Sequence, residues 1–190
     1  MSLKVIFAKM DMKSTHNLQA ALCTILMLTM FVSCNSAASE SIRLAAFTEN
    51  YVEVLIYVEH TSEGNYILSA TFTPPEGYHL YSKDIPLTGI DGVGRPTLLT
   101  LTSNSGIKAT GALMESVKAQ SLDFEPKELL VYPTGAVTLS LPVELPPGDV
   151  WIDDEVQVTY MACNASLCKP PVVGKVVSLR IPGADMLKSK

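Results

Sequence analysis

The chain has 190 residues, with 14 Lys+Arg against 19 Asp+Glu and a formal net charge of −5. An acidic surface argues against a nucleic-acid partner and against electrostatic adhesion to anionic lipid. The length suits one domain with a sizeable core.

Lys4, Lys9 and Lys13 open the chain with positive charge, and residues 18–32 are mostly apolar. That run is shorter than the roughly 20 residues of a membrane span and suits the core of an export signal. It ends in Phe31-Val32-Ser33-Cys34, which resembles the lipobox of bacterial lipoproteins. The resemblance implies cleavage before Cys34 and acylation of its sulfur. An ordinary secretory signal cut near Ala37 or Ala38 is the alternative. The expected organisation is a signal peptide over 1–33, a lipid-anchored tether over 34–48, a folded domain over 49–181 and a tail over 182–190. Removing Lys4, Lys9, Lys13 and Asp11 leaves 11 cationic and 18 acidic residues, a net charge of −7. Membrane attachment then falls to the acyl group.

After the tether the pattern is β. Val52, Val54, Ile56 and Val58 alternate with polar residues, as a half-buried strand requires. Ser62-Glu63-Gly64-Asn65 signals a turn, and residues 66–73 complete a hairpin. Further strands are expected at 97–102, 128–132, 137–144, 155–161 and 172–181. Twelve prolines and eleven glycines punctuate them, and no segment holds a helical period. The fold class is all-β, an immunoglobulin-like β-sandwich.

Two cysteines, Cys163 and Cys168, stand in Val158-Thr159-Tyr160-Met161-Ala162-Cys163-Asn164-Ala165-Ser166-Leu167-Cys168-Lys169-Pro170-Pro171. With Cys23 removed in the signal and Cys34 acylated, they are the one pair left in an exported domain. Such a pair is a staple or a redox couple. Closing so short a loop removes little chain entropy, which favours a bond kept for its chemistry. Cys163 continues a strand and should be enclosed, whereas Pro170 should hold Cys168 at an edge. Lys169 is the only nearby cation, read as a solvated loop residue. His60 and His79 are too few and too scattered for a metal site with the two cysteines. A copper site using Met161 with them would need more sulfur than the sequence shows. Without a Cys-x-x-Cys-His, covalent haem is not indicated, and no cofactor is implied.

The cysteine segment resembles the active-site segment of the N-terminal periplasmic domains of thiol:disulfide interchange proteins of the DsbD family. Gly77-Tyr78-His79-Leu80-Tyr81-Ser82-Lys83 and Val131-Tyr132 leading into Val137–Val143 resemble two further stretches of that family, so the likeness runs over about 49–181. This chain has four residues between the cysteines where well-known members have five. The resemblance implies an immunoglobulin-like fold and thiol:disulfide exchange, with Cys168 forming the intermolecular bond and Cys163 resolving it. It also implies a cap over the sulfurs, placed here at Asp123 and Phe124, with a core position for Phe124 as the alternative. Tyr160 is a candidate supporting side chain whose alternative, and the default, is a core side chain. The implied partners are thioredoxin-like envelope proteins and, since the sequence stops at Lys190, a separate transmembrane electron carrier. A lipid-anchored protein facing the periplasm is expected. A binding or structural lipoprotein with a static disulfide is the alternative.

Overall fold

The computed structural model describes residues 41–61, 63–122 and 126–188. Cys34 and the signal segment lie outside the described residues, as do Asp123 and Phe124 of the expected cap.

The first sheet begins with β1 (Ser41–Glu49) and β2 (Val52–His60), paired antiparallel from Glu49↔Val52 to Ser41↔Glu59. Asn50 and Tyr51 join them, both with positive φ (49° and 68°). That is the backbone a tight two-residue hairpin demands, because its twist matches the flanking strands. Strand β3 (Tyr66–Thr73) pairs with β2 along its whole length, as the alternation predicts. Two short strands follow in sequence, β4 (His79–Leu80) and β5 (Leu98–Leu101). Next come β6 (Lys108–Ala109), β7 (Met114–Glu115) and β8 (Val137–Glu144). β8 joins β3, with Ser69–Ser140 and Thr71–Thr138 hydroxyl pairs at 3.0 and 2.8 Å. On its other edge β8 carries β6 and β7, which are interrupted between Ala109 and Met114. Pro142 of β8 lies opposite that break and has no N–H to donate, the usual reason a ladder stops at proline.

The second sheet has the order β11-β9-β5, with β9 (Trp151–Tyr160) central and β11 (Val172–Pro182) beside it. A two-residue strand, β10 (Ala162–Cys163), leaves the end of β9 and pairs with β4. The sheets share one core. Val54, Ile56, Leu68, Phe72 and Leu139 from the first meet Val156, Val158 and Leu179 from the second, all buried. Each such side chain contributes about 1.5–3 kcal/mol by leaving water. The result is the expected all-β, immunoglobulin-like sandwich.

Three expectations need correction. The tether does not run to residue 48, because Ser41–Glu49 is a strand. Ile42, Leu44 and Phe47 pack partly buried against the core, and Lys175 of β11 pairs with Glu49 at 2.7 Å. Of the expected tail 182–190, the described residues 182–188 are not free. Pro182 pairs with Trp151, and a short helix α1 (Ala184–Lys188) buries Ala184 and Leu187 in the core. Residues 128–132 do not form a strand. The Leu129 N–H turns back to the Pro126 carbonyl, and Val131 makes only isolated bridges to Tyr81 and Gln120. Leu129 and Val131 are buried because they fill a second, smaller core with Tyr81, Ile85 and Cys163.

Candidate active site

The two cysteines face each other across a short hairpin. The Asn164 N–H donates to the Leu167 carbonyl at 2.9 Å and the Lys169 N–H to the Ala162 carbonyl at 2.8 Å. These two bonds bracket Cys163 and Cys168, which makes the cysteines a non-hydrogen-bonded antiparallel pair, the closer of the two kinds. Their Cα atoms are 4.0 Å apart and their sulfurs are joined as a disulfide. Asn164 closes the turn, its Oδ1 accepting the N–H groups of Ser166 and Leu167 at 2.9 and 2.8 Å. A short Asn side chain is suited to this because it mimics a backbone turn.

The hairpin's two arms differ in surroundings. The inner arm, β10, is paired to β4, and Cys163 is only 1 % exposed, among Tyr81, Leu129 and Val131. The outer arm carries Cys168 exposed to solvent, next to Leu167, itself 56 % exposed. This is the asymmetry the sequence predicts from a strand on one side and Pro170 on the other.

The β1–β2 turn reaches onto the outer arm. Asn50 Nδ2 donates to the Pro170 carbonyl at 2.9 Å. Lys169 Nζ lies 4.2 Å from the ring centre of Tyr51 and 5.1 Å from that of Tyr78. Lys169 is therefore held by two aromatic faces and is not the solvated loop residue expected, an arrangement worth about 0.5–1 kcal/mol per partner at an exposed site. Tyr160 is wholly buried in the main core, edge-on to Phe72 at 5.5 Å. Its hydroxyl donates to the Glu49 carbonyl at 3.3 Å, so it steadies the β1–β2 turn from within. Burial, with the Glu49 charge adding to it, raises the Tyr160 phenol well above its ordinary value.

Beside the inner arm lies a cleft of about 380 Å³ lined by His79, Gln120, Leu122, Tyr132, Asn164 and Ala165, among others. Tyr132 is also held protonated by burial and by its hydrogen bond to Glu115 Oε2 at 2.7 Å. Leu122 directly precedes the expected cap residues in sequence, and Gln120 lies two residues before Leu122. A cleft of about 420 Å³ lined by Thr102, Asn104 and the acidic start of β9 lies at the other end of that strand, away from the cysteines. Among the described residues no group of three or more His, Cys, Asp or Glu side chains could hold a metal ion.

Sequence reasoning missed the β1–β2 turn and His79, which stands directly opposite Cys163 in the β4–β10 ladder. The signal for His79 was its place within Gly77–Lys83, where alternation puts it on the same face as Tyr81.

Residues 52–179 match the family described as thiol:disulfide interchange protein DsbD, N-terminal. The chain belongs to this family. Its members are thiol:disulfide interchange domains of the bacterial envelope, so the chain is of that general oxidoreductase kind. The crystal structure of the Neisseria meningitidis DsbD N-terminal domain in the reduced form is similar at 14% identity, covering 80% of this chain and 90% of that one, with a TM-score of 0.39. No curated protein matches the sequence.

Proposed function

We propose that this DsbD N-terminal-like domain carries reducing equivalents in the bacterial cell envelope through the Cys163–Cys168 pair. The reduced Cys168 thiolate attacks a disulfide of a thioredoxin-like envelope protein and forms a mixed disulfide. Cys163 then attacks Cys168, closing the internal bond and releasing the partner reduced. A transmembrane electron carrier restores the dithiol. The exposure difference between the two sulfurs carries this reading. The attacking atom must be reachable by a partner's disulfide, and the resolving atom need reach only its neighbour. Leu167, next to Cys168 in sequence, and Tyr51, 68 % exposed and packed against Lys169, offer apolar surface for a docking partner.

Two further parts of the proposal concern residues outside the described ones. Acylated Cys34 anchors the domain to the membrane. Phe124, with Asp123, shields the sulfurs between encounters.

Trapping tests the exchange. Cys163→Ala should accumulate a mixed disulfide through Cys168 with an envelope thioredoxin-like protein, identified by mass spectrometry, and Cys168→Ala should accumulate none. If neither variant traps a partner and both lose several kcal/mol of stability, the bond is a static staple. Cys34→Ser should move the protein out of the membrane fraction while leaving it folded, and a mature N-terminus without acyl mass at Cys34 would refute the anchor.

A further inference from the structure

The proposed resolving step has a proton problem. Cys163 is buried in a small apolar core, and burial in such surroundings holds a thiol in its protonated, unreactive form. Exchange needs the thiolate. Solvent is reached more readily by Cys168 than by Cys163, so the proton of Cys163 needs an acceptor within the enclosure.

His79 is placed for that. It is the residue directly opposite Cys163 in the β4–β10 ladder. Side chains of directly opposed residues share a face, with Cβ atoms about 4.5–5.5 Å apart. His79 is 7 % exposed, and its buried Nε2 has no hydrogen-bond partner among the described residues. Buried side-chain polar atoms are nearly always partnered, so an orphaned one asks for an explanation. Packing alone would be served better by an apolar side chain. The imidazole lines the cleft that runs past Asn164 and Ala165 of the cysteine hairpin. Burial lowers its pKa from 6.5, so the ring is neutral at pH 7 and has a lone pair to offer.

Among the described residues, the other titratable groups around it are engaged elsewhere. The Tyr81 ring meets the imidazole edge-on at 5.4 Å and has its own interaction. Tyr132 lines the same cleft but donates its proton to Glu115. Lys169 sits over Tyr51 and Tyr78 on the outer side of the hairpin.

We propose that His79 is the proton acceptor for Cys163 in the resolving step, an assignment that rests on the exchange reading above. In the mixed disulfide, Cys168 Sγ is bonded to the partner's sulfur. The imidazole takes the proton of the Cys163 thiol, directly or through one water in the cleft. The thiolate's electron pair forms the Cys163–Cys168 bond. The bond from Cys168 to the partner breaks, and its electron pair leaves on the partner's sulfur. The imidazolium gives its proton to that sulfur or to water. The pair is oxidised, the partner disulfide has gained two electrons, and His79 returns neutral.

A chromogenic aromatic disulfide separates the two steps. The reduced protein releases one coloured thiolate when Cys168 attacks and a second when Cys163 resolves, both read by stopped-flow absorbance. His79→Ala and His79→Gln should leave the first phase within about twofold and slow the second by about 100-fold at pH 7, the low end of general acid–base contributions. Added imidazole should restore the second phase of His79→Ala in a saturable way. The wild-type second phase should fall at a pH below 6.5, as the imidazole takes up a proton, and His79→Ala should lose that inflection. An unchanged second phase in both variants, or both phases slowing together with no imidazole rescue, overturns the assignment. So does a wild-type second phase that rises in proportion to hydroxide from about pH 5 to 8, a measurement that needs no variant. Release of one equivalent only by the wild type would instead sink the exchange reading, and the His79 role with it.

Discussion

Reduction of the disulfide should weaken the fold only a little, and the loop geometry sets how little. The bond closes a loop of sequence separation 5. The chain-entropy relation gives about 2 kcal/mol for so short a loop, against about 4.7 for one of 100 residues. The backbone limits the loss further. Asn164 to Leu167 and Lys169 to Ala162 are bonded through the main chain, and Ala162 and Cys163 stay paired with Leu80 and His79. None of these contacts needs the sulfur bridge.

For a domain of this size about 2 kcal/mol corresponds to a fall in Tm of roughly 4–8 °C. Linkage puts the same 2 kcal/mol at about 40 mV in the two-electron potential, so the fold drives oxidation only weakly. The assay is urea unfolding of the wild-type protein, oxidised and then held reduced by excess dithiothreitol. Using reduction in place of substitution avoids adding a cavity at Cys163. A redox titration on the same samples should give a potential less negative than about −300 mV. A loss above about 5 kcal/mol on reduction, or a potential well below that bound, would show that the fold depends on the bridge and would refute the argument.

Phe124→Ala should speed alkylation of the reduced dithiol by a bulky reagent and lower stability by less than the roughly 3–5 kcal/mol of a core Phe truncation; the full loss with unchanged reactivity would make Phe124 a core residue. Asp154→Ala should cost about 2–4 kcal/mol by urea unfolding, because the buried Oδ2 accepts the Gly106 and Ile107 N–H groups at 3.0 and 3.3 Å. Its exchange rate should be unchanged, since the start of β9 is remote from the sulfurs. Stability should also depend on pH through His79. Its folded pKa lies below 6.5, so the unfolded chain binds the proton first and stability is lost as pH falls from 6.5 through the folded value, then levels off. His79→Gln should flatten that part of the curve in thermal melts, and an identical curve in wild type and variant would count against it.

The strands legible in the sequence were those with one buried face, and the misses share a cause. β2 and β8 alternate cleanly because one side packs on the core and the other meets water or a neighbour, and β3 departs from this only at buried Ser69. β1 hides its period because a bulge between Arg43 and Ala45 shifts the register, and its side chains are only partly buried. Leu129, Leu130 and Val131 imitate a strand because apolar residues were needed to fill the second core, whatever backbone carried them. The five residues of α1 are too few to display a helical repeat. At the site, Cys163 and Cys168 were visible because their chemistry is local. His79 meets Cys163, and Asn50 and Tyr51 meet Pro170 and Lys169, only through pairing and packing between segments distant in sequence, and no local pattern encodes that.

The outer arm of the hairpin also bears on how a partner would leave. An exposed strand edge usually offers a row of free N–H and C=O groups on which another chain can add a strand. Here that row is absent just after Cys168. The Lys169 N–H is committed to Ala162, and Pro170 and Pro171 have no N–H. The Pro170 carbonyl is occupied by Asn50. Three successive residues beside the exposed sulfur therefore present no free backbone donor. A partner approaching Cys168 can use the sulfur itself and the side chains of Tyr51 and Leu167, but it gains no ladder there. A carrier must release its partner once the electrons have passed. In the exchange proposed above, a partner docked at Cys168 would meet no backbone ladder beside Pro170 and Pro171, which favours a short encounter.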